Sequence, residues 1–300
     1  MNLQKTMNKL KYSFLLINLI SIISFSYEVF SNGEYFKIFL ENKIKLSKEI
    51  KIVTYSMDDT LTNILVDKNH HIILDPSANR SKKDLNIQNV TAPNTGIQHE
   101  KFYIFDNKEV LFGTGNMTFS GILGDKNIYI FTEDKAITNI FLKEFDNLAT
   151  QKYKKSLSKK IKDSELGSFE FHSTPNESIY KVIQKEIKNA KVNIDVFAFS
   201  LTDPFLVYEL EKASSRGIEV NLYFDDWNEY YSDAVKNLKG INKYSYSDLH
   251  AKVLIIDNKR IILGSYNYTY KARNTNYELF TIIENKTISD IIKRFLIEED

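Results

Sequence analysis

The sequence predicts an α/β protein of two similar halves, each a mixed, mostly parallel sheet flanked by helices, packed as a pseudo-two-fold dimer with a site between them. Two observations predict this. The order short strand, helix, strand, helix, strand occurs once in each half of the chain, and such alternation argues for a largely parallel sheet. "HEKFYIFDNKEVLFGTGNMT" in the first half also aligns without a gap with "HAKVLIIDNKRIILGSYNYT" in the second. Two equivalent units in one chain imply an approximate two-fold axis, and a site on that axis takes one set of groups from each half.

Taken in order, the chain opens with Lys5, Lys9 and Lys11, then the apolar run Phe14 to Phe25, with no acid before Glu28. That pattern, with Ser24 and Ser26 after it, predicts a secretory signal peptide over 1–26. The run is shorter than the ~20 residues a spanning helix needs. A buried first helix and an uncleaved anchor are the alternatives. The expected location is secreted or periplasmic, or membrane-anchored if the segment is retained.

The first half is expected over 27–150, with strand Ile50 to Tyr55, a helix near Asp59 to Lys68 and strand His71 to Leu74. The lysine-rich stretch 151–165 is expected to be a linker. The second half is expected over 166–300. Its helix from Glu177 to Asn189 carries Ile179, Val182, Ile183 and Ile187 on one face. Val192 to Phe199 alternates as a strand, Asp203-Pro204 opens a second helix, and Gly217 ends it before "IEVNLYF".

Composition excludes several classes. Hydrophobic residues make up 43% and charged residues 26% of the 300, which is incompatible with a disordered chain. The absence of cysteine excludes a disulfide framework, a thiolate zinc site and a cysteine nucleophile. The net charge is +1, and without the first 26 residues it is −2. The body therefore has no global positive field for nucleic acid or an anionic bilayer, and only local patches remain.

The repeat reads His-x-Lys-x4-Asp-x6-Gly-x-x-Asn. Its copies are His99, Lys101, Asp106, Gly113, Thr114 and Asn116, then His250, Lys252, Asp257, Gly264, Ser265 and Asn267. Residues two apart on a strand share a face, so each histidine projects with its lysine. "DNK" at 106–108 and 257–259 is a turn signal, so each copy is a hairpin. Gly113 and Gly264 end the return strands in loops expected to let backbone approach a ligand. Two imidazoles, two ammonium groups, two amides and two hydroxyls suit a phosphodiester. The lysines neutralise its oxygens, one histidine attacks phosphorus and the other protonates the leaving alkoxide. This chemistry needs no metal and no cofactor.

These residues resemble the signature of the phospholipase D superfamily, and the resemblance runs from about residue 27 to the end. It implies His99 as the nucleophile, forming a phosphohistidine, and His250 as general acid and then base. It implies phosphate binding by Lys101, Lys252, Asn116 and Asn267, with the Thr114 and Ser265 hydroxyls beside them, and structural roles for Asp106 and Asp257. Thr114 stands where such proteins usually have Ser. Glu278 is expected to orient His99. The matching position in the first half is taken as Tyr129, which leaves Asp125 or Glu133 as substitute partners for His250.

The remaining candidates are weaker. His70-His71 look like a metal pair, but neighbours on a strand face opposite ways. His172 is expected in a loop, Trp227 at a channel or the core, and Tyr266 facing substrate. Export, a neutral-to-acidic body and an aromatic-rich second half favour a phospholipid or membrane surface as partner. The expected function is thus an exported phosphodiesterase acting on a phospholipid head group. A metal-independent endonuclease is the alternative, supported by the compact halves, and a non-catalytic phosphate-binding module comes third. No obligate protein partner is evident.

Overall fold

The computed structural model describes residues 27–150, 154–175 and 178–298. The amino-terminal run and its expected cleavage point lie outside them.

The first half contains β1 (Tyr27–Ser31), α1 (Glu34–Leu46), β2 (Glu49–Thr54), β3 (Asn69–Leu74), β4 (Ile87–Asn89), β5 (Phe102–Phe105), β6 (Glu109–Gly113), β7 (Ile128–Thr132) and α2 (Lys135–Thr150). Then come β8 (Ser158–Ser164), β9 (Gly167–Ser173), α3 (Ser178–Asn189), β10 (Asn193–Ala198), α4 (Pro204–Ser215) and β11 (Glu219–Asp225). The chain continues through α5 (Trp227–Tyr231), α6 (Asp233–Asn237), β12 (Asn242–Tyr246), β13 (Lys252–Ile256) and β14 (Arg260–Gly264). It closes with α7 (Tyr270–Asn274), β15 (Leu279–Glu284) and α8 (Lys286–Ile297).

One sheet runs β1-β7-β6-β5-β2-β3-β4 and the other β12-β11-β10-β13-β14-β15-β9-β8. Read from opposite ends the orders coincide, with β8 added at one edge. The expected α/β architecture of two similar mixed sheets is present, but the balance within each sheet differs from expectation. Parallel pairing is confined to β2–β3–β4 and β10–β11–β12, and the other neighbours are antiparallel. The cause is the hairpin at each sheet's centre. Asp106-Asn107 and Asp257-Asn258 all have φ between 52 and 58°. Such two-residue turns join antiparallel strands, whereas parallel strands need long crossovers. The Asp106 carboxylate accepts from the backbone N–H of Lys48 (2.7 Å) and Glu49 (2.9 Å), and Asp257 accepts from Lys191 and Val192. Both aspartates hold the hairpin to the neighbouring element.

The halves share one core. Phe102, Phe112 and Phe141 of the first half pack in the same cluster as Phe169, Val253, Leu263 and Ile292 of the second. Helix α1 covers the outer face of the first sheet through Phe36, Leu40 and Ile44, spaced four apart. Helices α3 and α4 cover the second sheet.

Three local expectations are corrected. The helix near Asp59 to Lys68 is only a 3-10 turn over Thr62–Ile64. Asp58 accepts from the backbone N–H of Thr60 and Phe119, and Asp59 accepts from Ser81 and Lys82, so side chains capture what a helix would use. The expected linker 151–165 contains β8, an edge strand paired with β9. Its exposed lysines disguise it in sequence, and they suit an open sheet edge. His172 lies on β9 rather than in a loop, bonded to Ser158 and stacked on Phe280.

Candidate active site

The site forms where the same ends of the two sheets meet. β2 ends beside the start of β5, and β10 ends beside the start of β13. His99 lies three residues before β5 and His250 two residues before β13. The backbone of each is bonded across the halves: His99 N–H to Tyr277 O (2.9 Å) and His250 N–H to Lys126 O (3.0 Å). Each histidine is thus held by a strand of its own half and a loop of the other.

The side chains follow the same exchange. Glu278 Oε2 lies 2.9 Å from His99 Nδ1, and Asn127 Oδ1 lies 2.9 Å from His250 Nδ1. Asn127 was not expected. Matching "NIYIFT" to "NYELFT" pairs Tyr129 with Glu278. The strand ladders set Gly113 opposite Tyr129 and Gly264 opposite Phe280, which makes Tyr129 the counterpart of Phe280. Asn127 is then the counterpart of Glu278. Continuing the gapless motif alignment to these residues would have found it. Neither Asp125 nor Glu133 is bonded to His250. Tyr129 is core, stacked on Phe36, with its hydroxyl donating to Gly121 O.

These contacts fix the tautomers. Asn127 Nδ2 donates to Gly121 O (3.3 Å) and Asp125 O (3.2 Å), so its oxygen faces His250. Asn127 Oδ1 also accepts from Thr114 Oγ1 (2.9 Å). His250 Nδ1 must therefore carry hydrogen and donate. Glu278 accepts from Ser265 Oγ (2.5 Å) and Asn276 Nδ2 (3.0 Å), and His99 Nδ1 donates to it likewise. His99 is left with Nε2 free for chemistry, whereas the Nε2 of His250 meets the Lys252 ammonium at 3.0 Å. The hydroxyls of Thr114 and Ser265, expected to bind phosphate, are fully buried and instead orient the partners of the histidines. Gly113 and Gly264 also differ from expectation. A Cβ would stand 2.3 Å from Ile128 O or from Leu279 O, so the close approach is to the adjoining strand, not to a ligand.

Lys101 and Lys252 are among the largest fully buried side chains. Lys101 Nζ donates to His99 O (2.6 Å), and Lys252 Nζ lies 3.0 Å from His250 Nε2. Tyr55 sits edge-on to His99, and Phe199 lies against His250, at equivalent places beyond β2 and β10. Asn116 and Asn267 are half-buried, and the side-chain oxygen of each is buried without a partner.

Burial dominates the electrostatics. It pushes Lys101 down to about 7 against the pull of Glu278 and Glu100. It lowers Lys252 well below the usual lysine range, with Lys101 adding to the effect. His99 is lowered by burial, and Glu278 opposes this. His250 falls well below the ordinary range through burial and through Lys252, Lys101 and His99, with no carboxylate to counter them. Burial acts against ionisation of Glu278, but His99, Lys101 and Ser265 outweigh it and hold its carboxyl below the usual value. The resting site is short of negative charge, which an entering phosphate monoanion supplies.

Lys154 was hidden in the lysine-rich stretch. Its buried ammonium lies 2.9 Å from Glu100 and 2.6 Å from Glu144, and its backbone N–H donates to the Tyr277 hydroxyl. Glu100 stands between His99 and Lys101, and Tyr277 adjoins Glu278, so this cluster backs both sides of the site. Nothing in its residue type or spacing distinguishes Lys154 from its neighbours.

The other candidates are structural. His70 is bonded to Lys68 O and Asn86 N–H, and His71 to Gln88. Trp227 donates to Phe199 O. Tyr266 is 5% exposed and packs against Tyr268 and Phe280, contrary to the expectation that it faces substrate.

Residues 40–149 and 183–298 match a family model described as cardiolipin synthase, PLD-like domain. Phospholipase D of Rickettsia felis is 32% identical over 158 residues, covering 49% of this chain and 78% of that protein. Phospholipase D of Rickettsia bellii is 32% identical over 124 residues, covering 39% of this chain and 61% of that protein. The chain thus spans about three fifths of the length of the latter. Among solved structures, phosphatidylserine synthase of Haemophilus influenzae superposes with TM-score 0.66 at 10% identity, over 91% of this chain and 86% of that one. At that identity the likeness shows the fold alone.

Proposed function

The chain belongs to the phospholipase D superfamily, and from that membership we propose that it is a phosphodiesterase that hydrolyses the head-group phosphodiester of a phospholipid through a phosphohistidine on His99. One observation carries the reaction: two imidazoles, each pinned at Nδ1 by the opposite half, stand beside two buried lysines.

In this reading the phosphate enters between Lys101 and Lys252, with the amides of Asn116 and Asn267 beside it. Its charge offsets the lysines and raises the proton affinity of His250. The Nε2 lone pair of His99 attacks phosphorus as the bond to the head-group oxygen breaks. That oxygen takes the proton from His250 Nε2. The phosphorylated His99 ring is cationic, and Glu278 compensates it. Neutral His250 then takes a proton from water, whose oxygen displaces His99 from phosphorus and releases a phosphomonoester. Lys101 and Lys252 supply the positive charge at every stage, so the chemistry draws on no metal ion.

A lipid substrate is supported by the phospholipases D among the relatives. It is also supported by the carboxylates near Lys252. Burial raises Asp225 to about 6, with Asp226, Asp125 and Asp248 adding to the effect. Several carboxylates grouped there oppose the approach of a polyanionic nucleic-acid backbone. Export is part of the proposal and rests on the basic and then apolar start of the chain. Intact mass of the exported protein checks it, and retention of Met1 would contradict cleavage.

The test is a side-by-side assay of the protein on phosphatidylcholine, phosphatidylethanolamine, single-stranded DNA and duplex DNA. Head-group release that disappears in His99→Ala and His250→Ala is the expected result. Cleavage of DNA without lipid turnover would overturn the substrate, and no turnover of any diester would overturn the reaction.

A further inference from the structure

One face of the second half joins exposed aromatic rings to cations. On α3, Lys181, Lys185 and Lys188 are exposed at a spacing that aligns them in one stripe. On α4, Phe205 is 49% and Tyr208 56% exposed, and Lys212 Nζ lies 5.4 Å from the Tyr208 ring. On α7, Tyr270 is 62% exposed, next to exposed Lys271. Between α3 and α4 runs a groove of about 550 Å³ lined by Tyr180, Gln184, Pro204, Phe205, Tyr208 and Glu209. Two of the acids on this face are paired with cations, Asp203 with Arg273 (2.8 Å) and Glu186 with Arg260, and Glu209 accepts from the neutral Gln184 amide (2.5 Å). Against the single charge of Glu209, the exposed Lys181, Lys185, Lys188 and Lys271, with Lys212, leave the face with an excess of positive charge.

The face adjoins the site. Tyr268 O accepts from the N–H of Thr202 and of Asp203 (2.9 Å each), which ties the start of α4 to the loop carrying Asn267. Tyr270 lies three residues beyond Asn267. Both α4 and α7 begin at the end of the sheet where His250 stands.

We propose that this face docks on an anionic phospholipid bilayer, an inference that rests on the lipid reading of the site. Phe205, Tyr208 and Tyr270 enter the head-group boundary, where amphipathic rings are favoured. Lys181, Lys185 and Lys212 lie against the lipid phosphates. A single-stranded nucleic acid also seeks rings and cations, but it needs open ring faces on which bases stack. Here the Arg273 guanidinium lies 4.5 Å from the centroid of Phe205, 5.4 Å from Tyr270 and 5.7 Å from Tyr180, so those faces are taken. Docked in this way, the site meets substrate that is already concentrated at a surface.

The test is flotation of the full chain with vesicles of phosphatidylcholine alone or mixed with phosphatidylglycerol, beside turnover of a soluble short-chain diester. The chain should float with the mixed vesicles, and added salt should weaken this. Lys181→Gln combined with Lys185→Gln should lower partition about twenty-five-fold, at about fivefold per lysine. Phe205→Ser with Tyr208→Ser and Tyr270→Ser should lower it about tenfold or more. Turnover of the soluble diester should be unchanged in both, which shows that each variant folds. All variants share the amino-terminal run, so differences among them report on the face alone. Equal flotation of wild type and variants overturns the proposal, as does loss of oligonucleotide binding with vesicle binding intact. Flotation needs no turnover, so a failed lipid assay with intact, variant-sensitive flotation would sink the substrate reading and leave the docking face standing.

Discussion

Replacing Asn127 with Asp probes how the two histidines differ. The amide oxygen lies 2.9 Å from His250 Nδ1, so Asn127→Asp places a carboxylate against that ring. Unit charges about 4 Å apart attract by about 4 kcal/mol at an effective dielectric constant of about 20. Two effects oppose this. The new carboxylate is buried, and the donations to Gly121 O and Asp125 O are lost. If they offset about half, the imidazolium gains about 2 kcal/mol, and the titration midpoint of His250 rises by between about one and two pH units. His250 starts well below the ordinary histidine range, so the change carries it toward neutrality. The assay is a pH titration of the histidine resonances in isotope-labelled protein, with His250→Ala as the assignment control. The alkaline limb of turnover should move up with the resonance, because His250 then keeps its proton to higher pH. An unmoved or lowered His250 midpoint would refute the reasoning, as would a shift confined to His99.

Three further outcomes follow from contacts around the site. Glu278→Gln removes the charge that compensates a phosphorylated His99, so turnover of a soluble diester should fall by about 10²–10⁴-fold with little change in KM; wild-type turnover would show that Glu278 has no such role. Lys154→Met leaves Glu100 and Glu144 buried without their counter-charge. Unfolding in denaturant should show a loss of about 3–5 kcal/mol, and a loss near zero would contradict this. Lys101 is held down to about 7 in the folded chain and titrates near 10.5 when unfolded. Between those values the unfolded chain binds more protons, so stability rises with pH there, and below about pH 7 the penalty is complete. Lys101→Met should therefore stabilise the protein at pH 7 by a few kcal/mol, flatten the pH dependence and abolish turnover, all readable from denaturation midpoints and rates across that range.

The duplicated motif was legible because its residue types recur at fixed spacing, and that spacing alone places His99 with Lys101 and His250 with Lys252. The turn residues Asp106 and Asp257 declared the hairpins. What the sequence concealed was register. A match of short strands by letter set Tyr129 against Glu278, whereas the hydrogen-bond ladder fixes Asn127 there. Two residues along a strand separate a site residue from a core residue, and local identity is too weak to choose between them. The parallel bias was overestimated because helix–strand alternation marks only the β2–β3–β4 and β10–β11–β12 flanks, while the hairpins fill the centre. The strand β8 and the buried Lys154 were hidden by the same cause: a lysine-rich stretch looks solvated whether its ammonium groups face water or a pair of carboxylates.

The central claim is that one site, built by both halves, passes a phosphoryl group through His99. Its most direct test is a rapid denaturing quench of His250→Ala turning over a diester whose leaving group needs no proton, followed by peptide mapping by mass spectrometry. With His250 gone, nothing activates water, so a phosphoryl adduct should accumulate on the peptide carrying His99 and be absent from His99→Ala. An adduct mapped to His250 in the His99→Ala protein would reverse the assignment. Full activity without an adduct in both variants would contradict the account.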